Sequence, residues 1–497
     1  MGADLCESPV MKHFPRVFGL GVCAVLFSAF TIRADTPAAP ADAANGAPAS
    51  PEITGGENLT MILEVYAIGK DDARVVLETG QGGPDRYQRV LDLEKGGRAR
   101  IETLTALPTK SGQRAVIEAC DEVRYPTEFV PGKTRDDFPT PKAFETRNAG
   151  DMFEIEPAIG PDGLLCDLNL VPQRVSLAGF RDLTGMADDP PVGQPIFVTQ
   201  KLTTSVTAPF DQVCLIGTYS PPAGDASATR QSSPEIWLTF LHVHRVIATA
   251  EPKDANFKLR SDGTIDMEYS FYSLDREAAR DLLASFPKLE TSWERLQGLL
   301  RENKARFEDF VAVKTKSGQR CVAEGINEMR YGTEYALPGV RRTHETRTRT
   351  VETKESGNNG QPQPQKPPAI PPETTTVDSE TPTSDPTPGA FTAFETRNTG
   401  VTVEVEPAIA PDSATVDINM AVTNDRDMGS LEATGASAHV PAQPVFERRR
   451  ITTSITTILG SHALVGTLSM PGADGVNGRV DDGRTWLVFV RAMPGDR

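Results

Sequence analysis

The sequence is poor in the features that mark several large protein classes. It has 6 Cys, 3 Trp and 6 His in 497 residues. No stretch after residue 30 holds the roughly 20 consecutive apolar residues that a membrane-spanning helix needs, which leaves β-strands as the only means of entering a bilayer. Basic residues are the minority: 51 Lys and Arg against 68 Asp and Glu give a net charge of −17. That balance argues against a phosphate-binding surface, since nucleic-acid affinity comes mainly from clustered cations. Cys120, Cys166, Cys214 and Cys321 match no zinc-ligand spacing, and so few cysteines in a chain this long make no disulfide scaffold; bridges and buried free thiols both stay open.

Catalytic signatures are also missing. The sequence contains no Gly-x-Ser-x-Gly, no His-Glu-x-x-His and no P-loop. Beyond the N-terminal region the histidines are His242, His244, His344, His439 and His462. His242 and His244 fall on one face of a strand, as two metal ligands would, but no third ligand follows at a suitable spacing. Glu154 and Glu156, like Glu404 and Glu406, alternate with apolar residues, which describes a solvated sheet face and not two carboxyls across a cleft. Gly80-Gln81-Gly82-Gly83 is a turn signal without the full dinucleotide fingerprint. The sequence therefore assigns no catalytic, cofactor-binding or metal-ligating residue, no cofactor and no enzymatic activity.

What is present begins with an export signal. Lys12, His13 and Arg16 precede an apolar run from Val17 to Phe30, with Ala34 as the small residue before cleavage, so residues 1–34 read as a signal peptide that starts at Met1 or Met11. Residues 35–58 form an Ala- and Pro-rich tether.

Two exact matches then recur in the same order. Thr109-Lys110-Ser111-Gly112-Gln113-Arg114 returns as Thr315 to Arg320, and Ala143-Phe144-Glu145-Thr146-Arg147-Asn148 returns as Ala393 to Asn398. Glu156 to Ile159 pairs with Glu406 to Ile409, Thr203 to Ser205 with Thr452 to Ser454, Gly217-Thr218 with Gly466-Thr467, and Trp237-Leu238 with Trp486-Leu487. We read these as two units, 59–246 and 265–492, joined by a connector at 247–264. The second unit carries an insertion at about 353–390, rich in Pro, Thr and Gln and read as disordered because it has too few apolar residues to offset the cost of ordering.

The expected fold class is α+β, predominantly β. Each unit starts with a small α/β subdomain: Met61 to Ile68 and Ile265 to Tyr272 as strands, Arg276 to Phe286 and Ser292 to Phe307 as helices. Ser111-Gly112 is expected to turn a hairpin between Ile101–Ala106 and Ala115–Ala119. An antiparallel β domain follows. Val401, Val403 and Val405 share one face opposite Glu404 and Glu406, Pro161-Asp162-Gly163 makes a turn into the alternating strand Leu164 to Leu170, and Ile196, Val198, Leu202 and Val206 share a face. Arg448, Arg449 and Arg450 put charge on both faces of the strand that continues from Ile451, which fits a soluble sheet or a membrane edge better than a deep span.

Taken in order, Ser-Gly-Gln-Arg, Tyr-Pro-Thr-Glu-Phe, Glu-Thr-Arg-Asn, Glu-Pro-Ala-Ile-x-Pro-Asp, Asp-Leu-Asn-Leu, Pro-Ile-Phe-x-Thr-x-Lys-Leu-Thr-Thr-Ser-Val and Leu-Ile-Gly resemble the secretin domain of bacterial type II and type III secretion channels. The likeness covers about 110–225 and, more weakly, 316–490. It implies a non-catalytic component of a secretion or type IV pilus apparatus, channel-related or scaffolding, exported to the periplasm or outer membrane of a Gram-negative-type bacterium. It also implies self-association or docking to other envelope proteins, no nucleic acid, and contact with the outer membrane only through oligomeric β-structure. A soluble periplasmic binding or scaffold module is the alternative. Two departures stand out: the family's glycine pair after the Thr-Ser-Val strand is replaced by Gly217-Thr218 and Gly466-Thr467, and only short loops, Ser220 to Pro234 and Ser469 to Gly483, stand where the family's gate segment lies.

Overall fold

Period-two apolar patterns become strands along most of the chain, and two helix pairs interrupt them. The computed structural model describes residues 56–130, 140–183, 192–220, 234–248, 263–284, 289–336, 339–342, 345–346, 378–379, 382–387, 390–431, 442–469 and 483–495, all within the compact unit Ile53–Arg497. The stretch read as a signal peptide, residues 35–55 of the stretch read as a tether, His344, His439 and most of the loops 220–234 and 469–483 lie outside the described residues; Gly56–Asn58, read as the end of the tether, belong to a strand.

In chain order the first unit contains β1 (Gly56–Gly69), α1 (Lys70–Thr79), α2 (Gly83–Lys95), β2 (Ala99–Lys110), β3 (Ala115–Val130), β4 (Thr140–Ile159), β5 (Leu165–Leu183), β6 (Val192–Lys201), β7 (Thr204–Pro209), β8 (Val213–Tyr219) and β9 (Glu235–Ala248). The second contains β10 (Thr264–Asp275), α3 (Arg276–Leu283), α4 (Leu289–Arg301), β11 (Ala305–Lys316), β12 (Cys321–Ala336), the short strands β13 (Gly339–Arg342), β14 (Glu345–Thr346), β15 (Asp378–Ser379) and β16 (Pro382–Thr387), then β17 (Ala390–Ile409), β18 (Thr415–Leu431), β19 (Gln443–Ile458), β20 (His462–Ser469) and β21 (Arg484–Pro494). The fold is α+β and predominantly β, with antiparallel pairing. Within the insertion read as disordered, 378–379 and 382–387 pair with 345–346 and 339–342; the remainder lies outside the described residues.

Among the described residues the main strands form two small sheets, β2-β1-β9-β8 and β11-β10-β21-β20, and one large sheet, β12-β17-β18-β19-β3-β4-β5-β6, with β7 also on β5. The two small sheets share a register: Met61 faces Leu107 and Met267 faces Val313, and a bulge falls at Val65/Tyr66 in one and at Phe271/Tyr272 in the other. The hairpins of the large sheet match as well, Ala115 facing Ile155 and Cys321 facing Val405. Helices cover one face of each small sheet. α1 presents Ala73 and Val76 to Tyr66, Ile68 and Phe240. Asp71 and Asp72 complement the dipole of its first turn, and Pro84 sits in the first turn of α2, where its missing N–H costs nothing. The opposite face, with Leu59, Met61, Leu63 and Val243, joins the valines and isoleucines of the large sheet in the principal core.

The Ser-Gly turn does not make the expected hairpin. β2 pairs with β1, whereas β3 pairs with β4 and β19, so the turn hands the chain from the small sheet to the large one. Its two repeated motifs are physical partners. The Gly112 N–H donates to the Pro157 carbonyl at 2.7 Å and the Ile159 N–H to Ser111 Oγ at 3.0 Å. In the second unit the Gly318 N–H donates to Pro407 at 2.7 Å and Ile409 to Ser317 Oγ at 2.9 Å. Gly112 and Gly318 take φ of +76° and +74°, which a β-carbon would oppose. The second helix of the second unit is also shorter than its spacing predicts. α4 stops at Arg301, Asn303 turns at φ +57°, and Ala305 onward is drawn into β11 by pairing with β10.

Candidate assembly surface

The titratable groups singled out in the sequence do not converge on a catalytic centre. His242 and His244 do share a face, with rings stacked at 6.3 Å. His242 Nε2 lies 3.8 Å from Glu64 Oε1 under α2, and His244 Nδ1 lies 2.8 Å from Asp211 Oδ1 at the exposed end. Burial, with His244 adding to it, pushes His242 down to about 4. Glu64 accepts hydrogen bonds from the Tyr66 and Tyr87 hydroxyls at 2.6 and 2.9 Å, and burial holds its carboxyl above the usual range. This is a closed polar knot in the core of the α/β layer. Among the described residues no group of three His, Cys, Asp or Glu is placed to hold a metal. Glu154 pairs with Arg114 at 2.7 Å and Glu404 pairs with Arg320, so these carboxylates fasten the Ser-Gly-Gln-Arg turn to the sheet; Glu156 and Glu406 are exposed. Gly80 and Gly82 link α1 to α2. Cys120, Cys166, Cys214 and Cys321 are free thiols.

The densest polar constellation lies where the second unit joins the first. β19 pairs with β3, Phe446 facing Glu122 and Thr452 facing Val116, so the ladder of the large sheet runs through both units. Of the three arginines read as charge on both faces, Arg448 and Arg449 are ion-paired and Arg450 stands opposite a carboxylate in the ladder. Arg448 Nη2 is 3.2 Å from Glu122 Oε1, and the same carboxylate receives Arg397 Nη2 at 2.8 Å. Arg397 also reaches Asp425 at 2.7 Å; burial pushes the Asp425 carboxyl up to about 6, with the two guanidiniums opposing it. Arg450 faces Glu118 across the strands. Arg449 is buried on the opposite face, paired with Glu447 and lying over the Trp486 ring at 3.7 Å. Arg124 sits 4.5 Å over the Tyr331 ring and 3.7 Å from Glu395.

Direct bonds close the rest of the junction. Asn58 donates to the Thr456 carbonyl at 2.6 Å and accepts from the Thr456 N–H at 2.8 Å. The Ala106 N–H donates to Thr467 Oγ1 at 2.7 Å, Thr453 Oγ1 donates to the Pro108 carbonyl, and Lys110 Nζ meets Asp417 at 2.8 Å. Leu104 and Ala106 pack among Leu282, Leu464, Leu487 and Phe489. Chemically the surface is a strand-pairing interface with apolar backing and matched charge, the arrangement that fixes register. Only the run of arginines signalled it in the sequence, because the acidic partners come from distant strands.

No family model matches the chain, and no curated protein sequence matches it. Solved structures similar to it include Aeromonas hydrophila ExeD, at 12% identity over 39% of this chain and 49% of that chain with a TM-score of 0.18. The chain thus spans about half the length of ExeD. The Salmonella SPI-1 type III secretion injectisome secretin InvG is similar at 9% identity over 65% of this chain and 87% of that one, TM-score 0.22. The type II secretin GspD from enteropathogenic Escherichia coli is similar at 12% identity over 39% and 66%, TM-score 0.16.

Proposed function

We propose that the chain is a non-catalytic, secretin-like structural subunit of a bacterial secretion or pilus apparatus at the cell envelope, made of units at about 59–246 and 265–492 and acting through its β surfaces. The observation that carries the reading is the large sheet, whose hydrogen-bonded ladder runs through both units and whose strands hold most of the ordered motif series described above, from Tyr-Pro-Thr-Glu-Phe to Thr-Thr-Ser-Val. A sheet of this kind suits a building element, since it presents main-chain groups and long flat faces to neighbours. The alternative is a soluble periplasmic scaffold or binding module. It is favoured by the arginines of β19, where Arg448 and Arg450 alternate with Arg449 so that neither face is free of charge, which suits no lipid-facing barrel strand.

Envelope fractionation with and without detergent, followed by light scattering and negative-stain microscopy of the extracted chain, separates the two. Detergent-dependent rings support a channel-related subunit; a soluble species that sediments with no membrane supports the periplasmic module. Loss of exported proteins from the medium when the coding sequence is deleted tests the secretion role itself.

A further inference from the structure

The first small sheet and the large sheet part company near Trp237. Leu63 and Phe153 belong to the principal core, whereas Val65, Ala67 and Trp237 form a separate cluster with Tyr219 packed against it. Between the two lies a slot of about 480 Å³, part of it continuous with solvent, walled by Leu63, Val65, Phe153 and Trp237 and lined on its large-sheet side by Arg174 and Gln200. Arg174 lies 5.3 Å over the Trp237 ring and faces Gln200 across the β5–β6 ladder. We propose that this slot is a binding site for a small uncharged aromatic molecule with one hydrogen-bond donor, of the phenol class, its ring against the apolar walls and its hydroxyl donating to Gln200 Oε1.

Three observations carry it. First, Gln200 is 8% exposed, and its Oε1 is buried with no hydrogen-bond partner among the described residues. An unmet acceptor in an apolar setting is costly, and a donor carried in by a ligand removes that cost. Second, the charges beside the slot already answer one another. Arg174 Nη1 donates to Thr103 Oγ1 at 3.2 Å and to the Glu102 carbonyl at 3.1 Å, and the guanidinium lies 3.6 Å from Asp151 Oδ2 and 3.7 Å from Glu102 Oε2. Arg100 is shared between Glu102 and Glu235. Two guanidiniums thus face three carboxylates, which disfavours an anionic head group, and Arg174 already takes the indole face that a ligand cation would use. What the slot asks for is a neutral donor. Third, the sister unit shows the shape that fits. Phe271 stands in the second unit where Val65 stands in the first, and Arg449 where Gln200 stands; both are buried, and Arg449 lies on Trp486. The second unit therefore supplies a benzene ring of its own beside its tryptophan, and the smaller Val65 leaves room for one from outside.

Saturation-transfer NMR titrations of the full chain with p-cresol and, separately, with toluene test the site. p-Cresol is expected to bind about fivefold more tightly than toluene, because only p-cresol carries the donor. Gln200→Leu should erase that preference by weakening p-cresol, while toluene binds undiminished and so reports that the variant is folded. Val65→Phe, which supplies from within the chain the ring that the second unit has, should weaken both ligands by at least about tenfold. Absence of p-cresol binding to the unaltered chain overturns the inference. Equal affinity for the two ligands also overturns it, since Gln200 is then satisfied by water. Unchanged p-cresol binding in Gln200→Leu overturns it too, by placing the phenol elsewhere. Each readout is taken on the chain itself, so the outcome holds whether or not the chain forms detergent-dependent envelope particles.

Discussion

Arg449 lies over the indole of Trp486, 3.7 Å from the ring centroid, while its guanidinium pairs with Glu447 two residues earlier on the same strand. Both charged side chains are almost fully buried, at 2% and 1% exposure. The first unit has Arg174, from β5, 5.3 Å over Trp237, and the matching strand of the second unit, β18, likewise sets Arg426 4.4 Å over Trp486; Arg449 adds a second cation there, and Gln200 occupies its matching position in the first unit. Each unit keeps a tryptophan at the start of its closing strand and supplies a cation to it from β5 or β18. Truncating Arg449 leaves the Glu447 carboxylate buried without its guanidinium. Arg449→Met is expected to cost about 3–5 kcal/mol in urea unfolding, and adding Glu447→Gln to recover much of that loss. A smaller loss, or no recovery, would show that the pair is not stabilised as a unit.

The polar knot under α2 predicts a pH dependence. His242 is held at about 4 when folded, against 6.5 when unfolded, by burial first and by His244 second. The unfolded chain therefore takes up a proton as the pH falls below 6.5, and the folded chain does not until about 4. The stability due to the neutral ring is complete above 6.5 and drains away between those values, by up to about 3 kcal/mol. His242→Gln should flatten the slope of unfolding free energy against pH across that window; an unchanged slope assigns the dependence to other groups.

Two glycines at matching positions hold the hairpins of the large sheet. Gly150 has φ +152°, and a β-carbon there would come 2.2 Å from the Ala119 carbonyl oxygen; Gly400 has φ +121°, and one there would come 2.1 Å from the Gly325 oxygen. The obstacle is backbone in both cases and cannot swing aside. Gly150→Ala and Gly400→Ala are each expected to lose about 3 kcal/mol or more. Gly325→Ala, where a β-carbon meets nothing within 4 Å, should change the unfolding free energy by no more than about 0.5 kcal/mol.

The thiols should sort by burial. Cys120 and Cys166 are 5% and 0% exposed, and burial raises both, Cys166 to about 12. Cys214 and Cys321 are half-buried. In a chain beginning at Asp35, a thiol-reactive chromophore at pH 8 should modify Cys321 and Cys214 first. Cys120 and Cys166 should react at least about tenfold more slowly and become accessible on unfolding. Rapid reaction of all four in the native protein would contradict the packing around β3 and β5.

Elements that depend on neighbours along the chain were legible from sequence. Val401, Val403 and Val405 are buried as their alternation requires, and Pro161-Asp162-Gly163 turns, with Gly163 at φ +69°. Choices made by distant strands were not legible. The Ser111-Gly112 turn chemistry is the same whether the next strand folds back on β2 or leaves for another sheet. That decision rests on Pro157 and Ile159, which seize the turn's N–H and hydroxyl. The helical spacing that continued to Phe307 was overridden because β10 offers Ala305–Lys316 a full ladder. The run Arg448 to Arg450 shows in sequence only as charge on both faces of a strand, since the acidic groups opposite it, Glu118, Glu122 and Asp425, sit on other strands. α1 and α2 were hidden by weak apolar content, although Pro84 after a glycine pair marks a helix start.

The pairing of β1 with β9 bears on how the chain reaches its native state. Leu59 faces Arg245, so the first strand made is hydrogen-bonded to the last strand of its unit, and Asn58 grips Thr456 from 398 residues away. Contacts of such sequence separation form late and slowly, because the loops they close must first lose their freedom. A chain emerging N-terminus first from synthesis or translocation would hold β1 with one flank bare until Glu235–Ala248 arrives, and β19 would dock only after nearly everything before it is available. During that interval its unpaired strands are open to wrong partners, so the topology favours conditions that keep nascent copies apart until the late strands arrive.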